Sequence, residues 1–227
     1  MRKDIMIFVP MHNTKKSDAA EFMREAEAFR KLHHIDSECL RIIDNHKSKR
    51  EMRRHVLDDV DMWGLTGVFF FCHGWESGIQ LGISLSDVCA VAHSIGTNLQ
   101  DTSVVVGLYC CSTGGTIGKK KQDETEPLGG DGGFADRLRD ELCRVGAVDC
   151  RVLAHTVPGH TTKNPYLREF IGGGRPLGGS GGSWVIPPRH KPEFKAWRKL
   201  LRTDPTARFE IPFVSTGAIQ RRVKDIM

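Results

Sequence analysis

Hydrophobic residues follow two distinct periods along this chain. In some segments every position over strand length is apolar. In others apolar residues recur every three or four positions, as on one face of a helix. The first regime covers Asp4 to Val9, Gly67 to Cys72, Ser103 to Tyr109 and Arg151 to Thr156. Strands of a parallel sheet, buried on both faces, have this continuous character. Ser183 to Ile186 looks like a further short strand, closed by Pro187-Pro188, and Ile211 to Val214 like a last extended piece.

The second regime lies between these runs. Ser17 can cap a helix carrying Ala20, Met23, Ala26 and Arg30. A strongly charged helix is predicted from Ser48 to Val60. Another opens at Ser84 or Ser86 and runs to Ile95, after a short hairpin over Gly78 to Ile83. Phe134 to Val145 and Pro192 to Arg202 complete the set. Alternating strands and helices predict an α/β/α sandwich with a mainly parallel central sheet. No repeat or linker divides it, so residues 1–227 read as one domain.

Composition narrows the picture modestly. The net charge is +5, and the basic residues are scattered apart from Lys119-Lys120-Lys121 and Arg221-Arg222. That pattern lacks the basic stripe of a nucleic-acid reader, so no nucleic-acid partner is expected. The run Val68 to Cys72 is far too short to span a bilayer, and Ile5 to Val9 is too short for the core of a signal peptide. The seven cysteines sit inside periodic segments rather than turn-rich loops. That argues for free thiols and a cytoplasmic protein.

The chemistry concentrates at two strand ends. Ligands bind beyond the carboxyl ends of strands in open α/β sheets. The strand Val68 to Cys72 ends in His73-Gly74, and the strand Ser103 to Tyr109 ends in Cys110-Cys111. Adjacent and parallel, these strands would set His73 against Cys111 on one rim. An imidazole beside a thiol is the minimum for nucleophilic thiol catalysis. The N–H groups of Gly74 and Cys111 could hold the developing oxyanion. Cys110 is the rival nucleophile, because neighbours on a strand end point oppositely. Asp87 and Glu76 are candidate polar partners for His73, and Trp75 is a candidate pocket wall. His155 and His160 fall on the same rim as possible substrate contacts.

Two other assignments fit less well. Cys72, His73, Cys110 and Cys111 could be drawn as a zinc site, but neighbouring strand residues do not turn easily toward one metal. The run Gly114-Gly115-Thr116-Ile117-Gly118-Lys119 fails the phosphate-loop pattern in its spacing and in the residue after Lys119. No metal and no cofactor is expected in the chemistry.

The segments Val68-Phe69-Phe70-Phe71-Cys72-His73-Gly74 and Val104-Val105-Val106-Gly107-Leu108-Tyr109-Cys110-Cys111 resemble the two catalytic blocks of caspase-like (clan CD) cysteine peptidases. In these a hydrophobic strand ends in His-Gly and a second ends in a small residue and the nucleophilic Cys. The caspase signature Gln-Ala-Cys-x-Gly is absent, and His73 and Cys111 are closer than the roughly 50 residues of caspases. The resemblance therefore implies a divergent or prokaryotic-type member with a caspase-like α/β/α sandwich. It implies a cysteine endopeptidase acting on a protein or peptide through an acyl-enzyme, with His73 and Cys111 catalytic. It also implies substrate contacts from Tyr109, two positions before the nucleophile, and from Arg175, Ser183 and Trp184, in a segment similar to the caspase specificity loop. The loop from Gly114 to Gly133, with its acidic patch Asp123 to Glu126, lies where several relatives are cut during activation. A regulatory protein partner is a further expectation. The alternatives are a catalytically silent caspase-like interaction module and another thiol hydrolase on a Rossmann-like sheet.

Overall fold

The apolar runs read from the sequence become the centre of an eight-stranded sheet in the computed structural model. The structure describes residues 1–12, 18–62, 64–118, 128–158, 164–173, 181–187 and 190–227. Ser17, the basic run at 119–121, the acidic patch at 123–126, His160 and Arg175 lie outside these residues.

The strands are β1 (Ile5–Pro10), β2 (Leu40–Ile43), β3 (Gly67–Phe71), three short strands β4 (Gly74–Trp75), β5 (Gly78–Ile79) and β6 (Ile83–Ser84), then β7 (Val105–Tyr109), β8 (Leu128–Gly129), β9 (Arg151–His155), β10 (Leu167–Ile171) and β11 (Gly182–Trp184). The main sheet runs β2-β1-β3-β7-β9-β10-β11-β8, and β4 to β6 form a separate small sheet. Strands β2, β1, β3, β7 and β9 are mutually parallel; β10, β11 and β8 add antiparallel pairs.

This strand order fixes where the helices lie. The helices are α1 (Asp18–Leu32), α2 (Lys49–Val60), α3 (Val88–Gly96), α4 (Phe134–Arg144), α5 (Pro192–Thr203) and α6 (Thr216–Asp225). Right-handed crossovers are the rule between parallel strands. The step from β1 to β2 goes one way along the sheet; those from β2 past β1 to β3, then to β7 and β9, go the other. Helix α1 therefore covers one face, and α2, α3 and α4 cover the opposite face.

Side chains agree. Phe29 of α1 packs on Phe69 at 4.5 Å, Phe71 at 5.7 Å and Tyr109 at 5.9 Å between ring centroids. The alternate residue Phe70 stacks on Phe8 at 5.3 Å. Each fully buried ring contributes about 1.5–3 kcal/mol by leaving water. A turn of 3₁₀ helix, Ala207–Phe209, completes the α1 face. Its Phe209 stands edge-on to Phe29 and Tyr109.

Several boundaries differ from the sequence reading. Ser48 does cap α2, in a reciprocal capping box with Glu51. The predicted extended piece at Ile211 to Val214 is instead a 3₁₀ turn, Ile211–Phe213, with Pro212 near its start. Proline suits the first turn of a helix and cannot donate to a ladder. The guanidinium of Arg151 donates to the carbonyls of Ile211, Pro212 and Val214, which closes the turn onto the sheet. Strands β2, β4, β8 and β10 and helix α6 are additions to the predicted set.

Candidate active site

Strands β3 and β7 are direct parallel neighbours, in a register that pairs Phe70 with Leu108 and Phe71 with Tyr109. One step further, the sulfurs of Cys72 and Cys110 stand 3.5 Å apart in the interior. One step further again are His73 and Cys111. Both are partly exposed, and both line one cavity of about 550 Å³. Gly74, Trp75, Glu76, Gln80, Ser112 and Pro158 complete its described lining.

Each arm of the site is anchored. The His73 backbone pairs with Gln80, whose N–H donates to the His73 carbonyl at 2.9 Å and whose side-chain oxygen accepts the His73 N–H at 3.3 Å. The small sheet of β4 to β6 carries this arm: Gly74 pairs with Ile79 and Trp75 with Gly78. Phe22 of α1 meets the imidazole at 5.1 Å with the rings perpendicular. Such edge-on contacts add about 0.5–1.5 kcal/mol and fix a ring's plane.

The Cys111 arm is a tight turn. Ser112 has φ of 58°, in the left-handed region that non-glycine residues seldom occupy. Backbone held this way costs of order 1–3 kcal/mol and persists only where its surroundings over-determine it. Here they do. Gly114 donates to the His155 carbonyl at 2.8 Å, Gly115 to the Ser112 carbonyl at 2.9 Å, and the Thr113 hydroxyl to the Cys110 carbonyl at 3.2 Å.

The two arms also touch one another. A Cβ on Gly74 would fall 2.7 Å from the Cys110 Cβ, 2.7 Å from the Thr113 methyl and 2.8 Å from the Cys111 carbonyl oxygen. Glycine is what allows the arms to close to this distance. The first turn of α4 then joins them. The Phe134 N–H donates to the Glu76 carbonyl at 2.9 Å and the Ala135 N–H to the Thr113 carbonyl at 3.1 Å. These are donors a helix start leaves without internal partners. Here both arms supply the acceptors.

Other expected residues lie elsewhere. Cys110 is fully buried, and burial with the adjacent Cys72 pushes its thiol well up. Burial and the raised pKa both disfavour attack by this thiol, whereas Cys111 is partly exposed. Tyr109 is no substrate contact: it is 2% exposed, and its hydroxyl donates to the Arg208 carbonyl at 3.3 Å. Its place on the α1 face of β7 turns the ring into the core. Trp184 is also buried, one face covered by the Arg168 guanidinium at 3.9 Å and its edge by Tyr166. Ser183 sits within the antiparallel ladder opposite Glu169 and Leu128. Neither is among the described residues that line the His73–Cys111 cavity.

His155 is buried rather than rim-facing, with Nδ1 at 3.2 Å from the Tyr166 carbonyl. Of the two carboxylates considered for His73, Glu76 lines its cavity. Asp87 is held by the Ser84 backbone and hydroxyl and by Arg53. Burial opposes its ionisation, but those hydrogen bonds outweigh burial and keep the carboxyl below its usual value. Asp87 lines a neighbouring cavity of about 370 Å³ that shares Trp75 and Gln80 with the first. Trp75, half-exposed, is thus the wall between the two. The sequence held no signal for the second cavity, whose lining comes from α2, the small sheet and the turn at Ser86 and Asp87.

No protein-family model, curated protein or solved structure matches this chain significantly. Among the described residues, no helix is long and apolar enough to cross a membrane.

Proposed function

We propose that this chain is a caspase-like cysteine endopeptidase in which Cys111 is the nucleophile and His73 the general base and acid. One observation carries the reading: adjacent parallel strands in matched register end in an imidazole and a partly exposed thiol that line the same cavity. The adjacency of these strands is also what separates it from a thiol hydrolase whose His and Cys strands lie apart.

In this mechanism His73 takes the Cys111 proton as the sulfur attacks the scissile carbonyl. The oxygen gains negative charge, which backbone N–H groups of the Gly74 and Cys111 arms stabilise. Collapse breaks the C–N bond, and His73 returns its proton to the leaving amine. A water then loses a proton to His73, attacks the thioester and releases the acid and the free thiol. Neither step draws on a metal or an organic cofactor. Trp75 and the adjoining cavity provide room for a peptide on either side of the reacting carbonyl. The same thiol is a candidate to cut the chain's own 114–133 segment, which follows it directly in sequence.

The test is labelling with a peptidyl thiol-reactive electrophile, read by intact mass, beside cleavage of a peptide library. The wild-type chain should take up one label and cleave peptides. The Cys111→Ala chain should do neither while melting at the same temperature. Label retained on Cys111→Ala overturns the assignment of the nucleophile. A folded wild-type chain that cleaves nothing and takes no label favours the silent interaction module.

A further inference from the structure

Beyond the dyad, the same rim carries a second cluster of chemically capable side chains. β1 and β2 end at Pro10 and Ile43, parallel to β3. Just past these ends stand His12, Asp44 and His46. The His12 Nε2 lies 3.2 Å from an Asp44 carboxylate oxygen. The His12 and His46 rings stack at 3.9 Å, with planes 7° apart. One ligand atom from each of the three falls within 4.8 Å of the others, and among the described residues no other grouping of His, Cys, Asp and Glu does so.

We propose that His12, Asp44 and His46 form a binding site for a divalent transition metal, with Zn²⁺ the best match. Two nitrogens and a carboxylate oxygen are the donor set that Zn²⁺ takes at about 2.0–2.2 Å. Two ligands on a tetrahedral ion at that length stand about 3.3 Å apart. The His12–Asp44 separation already has that value, and His46 needs only a side-chain adjustment.

To bind one ion the two rings must part from this stack, because an imidazole lone pair lies in its ring plane; rotation of the exposed His46 side chain does so.

The backbone beneath the site is also fixed. Asn45 accepts the His12 N–H at 2.7 Å and donates to the His12 carbonyl at 3.0 Å. The Asp44 carboxylate accepts the His46 N–H at 3.1 Å. These bonds hold both ligand-bearing segments together, as outer partners do at metal centres. Water would complete the coordination, since all three ligands are partly or fully exposed. A bound ion would clip the exit of β1 to the turn after β2, and so brace the start of the α1 crossover.

The inference is independent of the peptidase reading, and its test removes the dyad thiol as a competing ligand. The full-length Cys111→Ala chain is titrated with Zn²⁺ by calorimetry and with Co²⁺ by visible absorption. One equivalent should bind, the Co²⁺ spectrum should show d–d bands without a thiolate charge-transfer band, and Zn²⁺ should raise the melting temperature. His12→Ala and His46→Ala should each weaken binding by about tenfold or more. His46 is exposed, so its removal leaves the fold intact; equal metal-free melting temperatures check this. A thiolate band, unchanged affinity in the His12→Ala/His46→Ala chain, or no binding overturns the proposal.

Discussion

His155 occupies a position whose protonation the fold opposes. It is buried behind the turn that carries Cys111, and its own carbonyl accepts the Gly114 N–H. Burial first, then the Arg208 charge, push its imidazole down to about 3 from an ordinary value of 6.5. Between those limits the unfolded chain binds a proton that the folded chain refuses. The stability His155 contributes is therefore whole above about pH 6.5 and is lost as pH falls toward 3, by up to about 1.4 kcal/mol per pH unit. Denaturant midpoints measured from pH 7 to pH 4 should show this slope. In His155→Gln, which keeps a donor for the Tyr166 carbonyl, the slope should fall by about one proton. An unchanged slope would assign the acid sensitivity to other groups.

At the scale of elements, α1 is the support of the proposed base. Phe22 is its contact with the imidazole, and Phe29, two turns on, seats the helix on β3 and β7. Phe22→Leu keeps most of the volume and discards the ring edge. Its cost in stability should stay under about 1.5 kcal/mol. The lost ring contact should lower kcat by roughly two- to tenfold with KM little changed. A matching rise in KM, or no change in kcat, would make Phe22 a packing residue only.

The strands that carry the site were legible because nothing interrupts their apolar runs. Val68 to Cys72 is buried throughout, and Val104 to Cys110 at every position but Val105, so sequence alone marks them. Strand β10 was not, since it carries Arg168 and Glu169 at buried positions. Their partners come from afar: Trp184 covers Arg168, and Arg151 and Thr216 bind the Glu169 carboxylate. Local pattern cannot anticipate such pairing. For the same reason the sequence could not show that the Tyr109 and Trp184 rings are buried. Which way a strand residue faces depends on the helix that covers it. The strand-end positions of His73 and Cys111 needed only strand length and direction.

Across the whole molecule, one buried ion pair ties the amino-terminal helix to the carboxyl-terminal turns. Glu25 of α1 and Arg208 stand 3.2 Å apart, both nearly sealed from water. The Arg208 guanidinium lies over Phe209 at 4.7 Å and Tyr109 at 5.6 Å. Burial lowers its basicity and the Glu25 charge restores part of it. Removing one member of such a pair strands the other, so Glu25→Ala should cost about 3–5 kcal/mol. Replacing both with apolar residues, as in Glu25→Leu with Arg208→Met, should recover most of that loss. Denaturant titrations of the parent, single and double variants would read this directly; equal losses in the single and double variants would refute it.

The helix start that accepts both site arms has a mechanical consequence. With Glu76 and Thr113 hung from successive peptide groups of one rigid rod, neither arm can swing away while the other stays behind. Tension or torsion reaching this corner would carry imidazole and sulfur along as a unit, their spacing preserved. Control of such a centre would then have to come from outside, by blocking the entrance or reshaping the tryptophan wall, because prising the partners apart would first break the bonds that tie both to the rod.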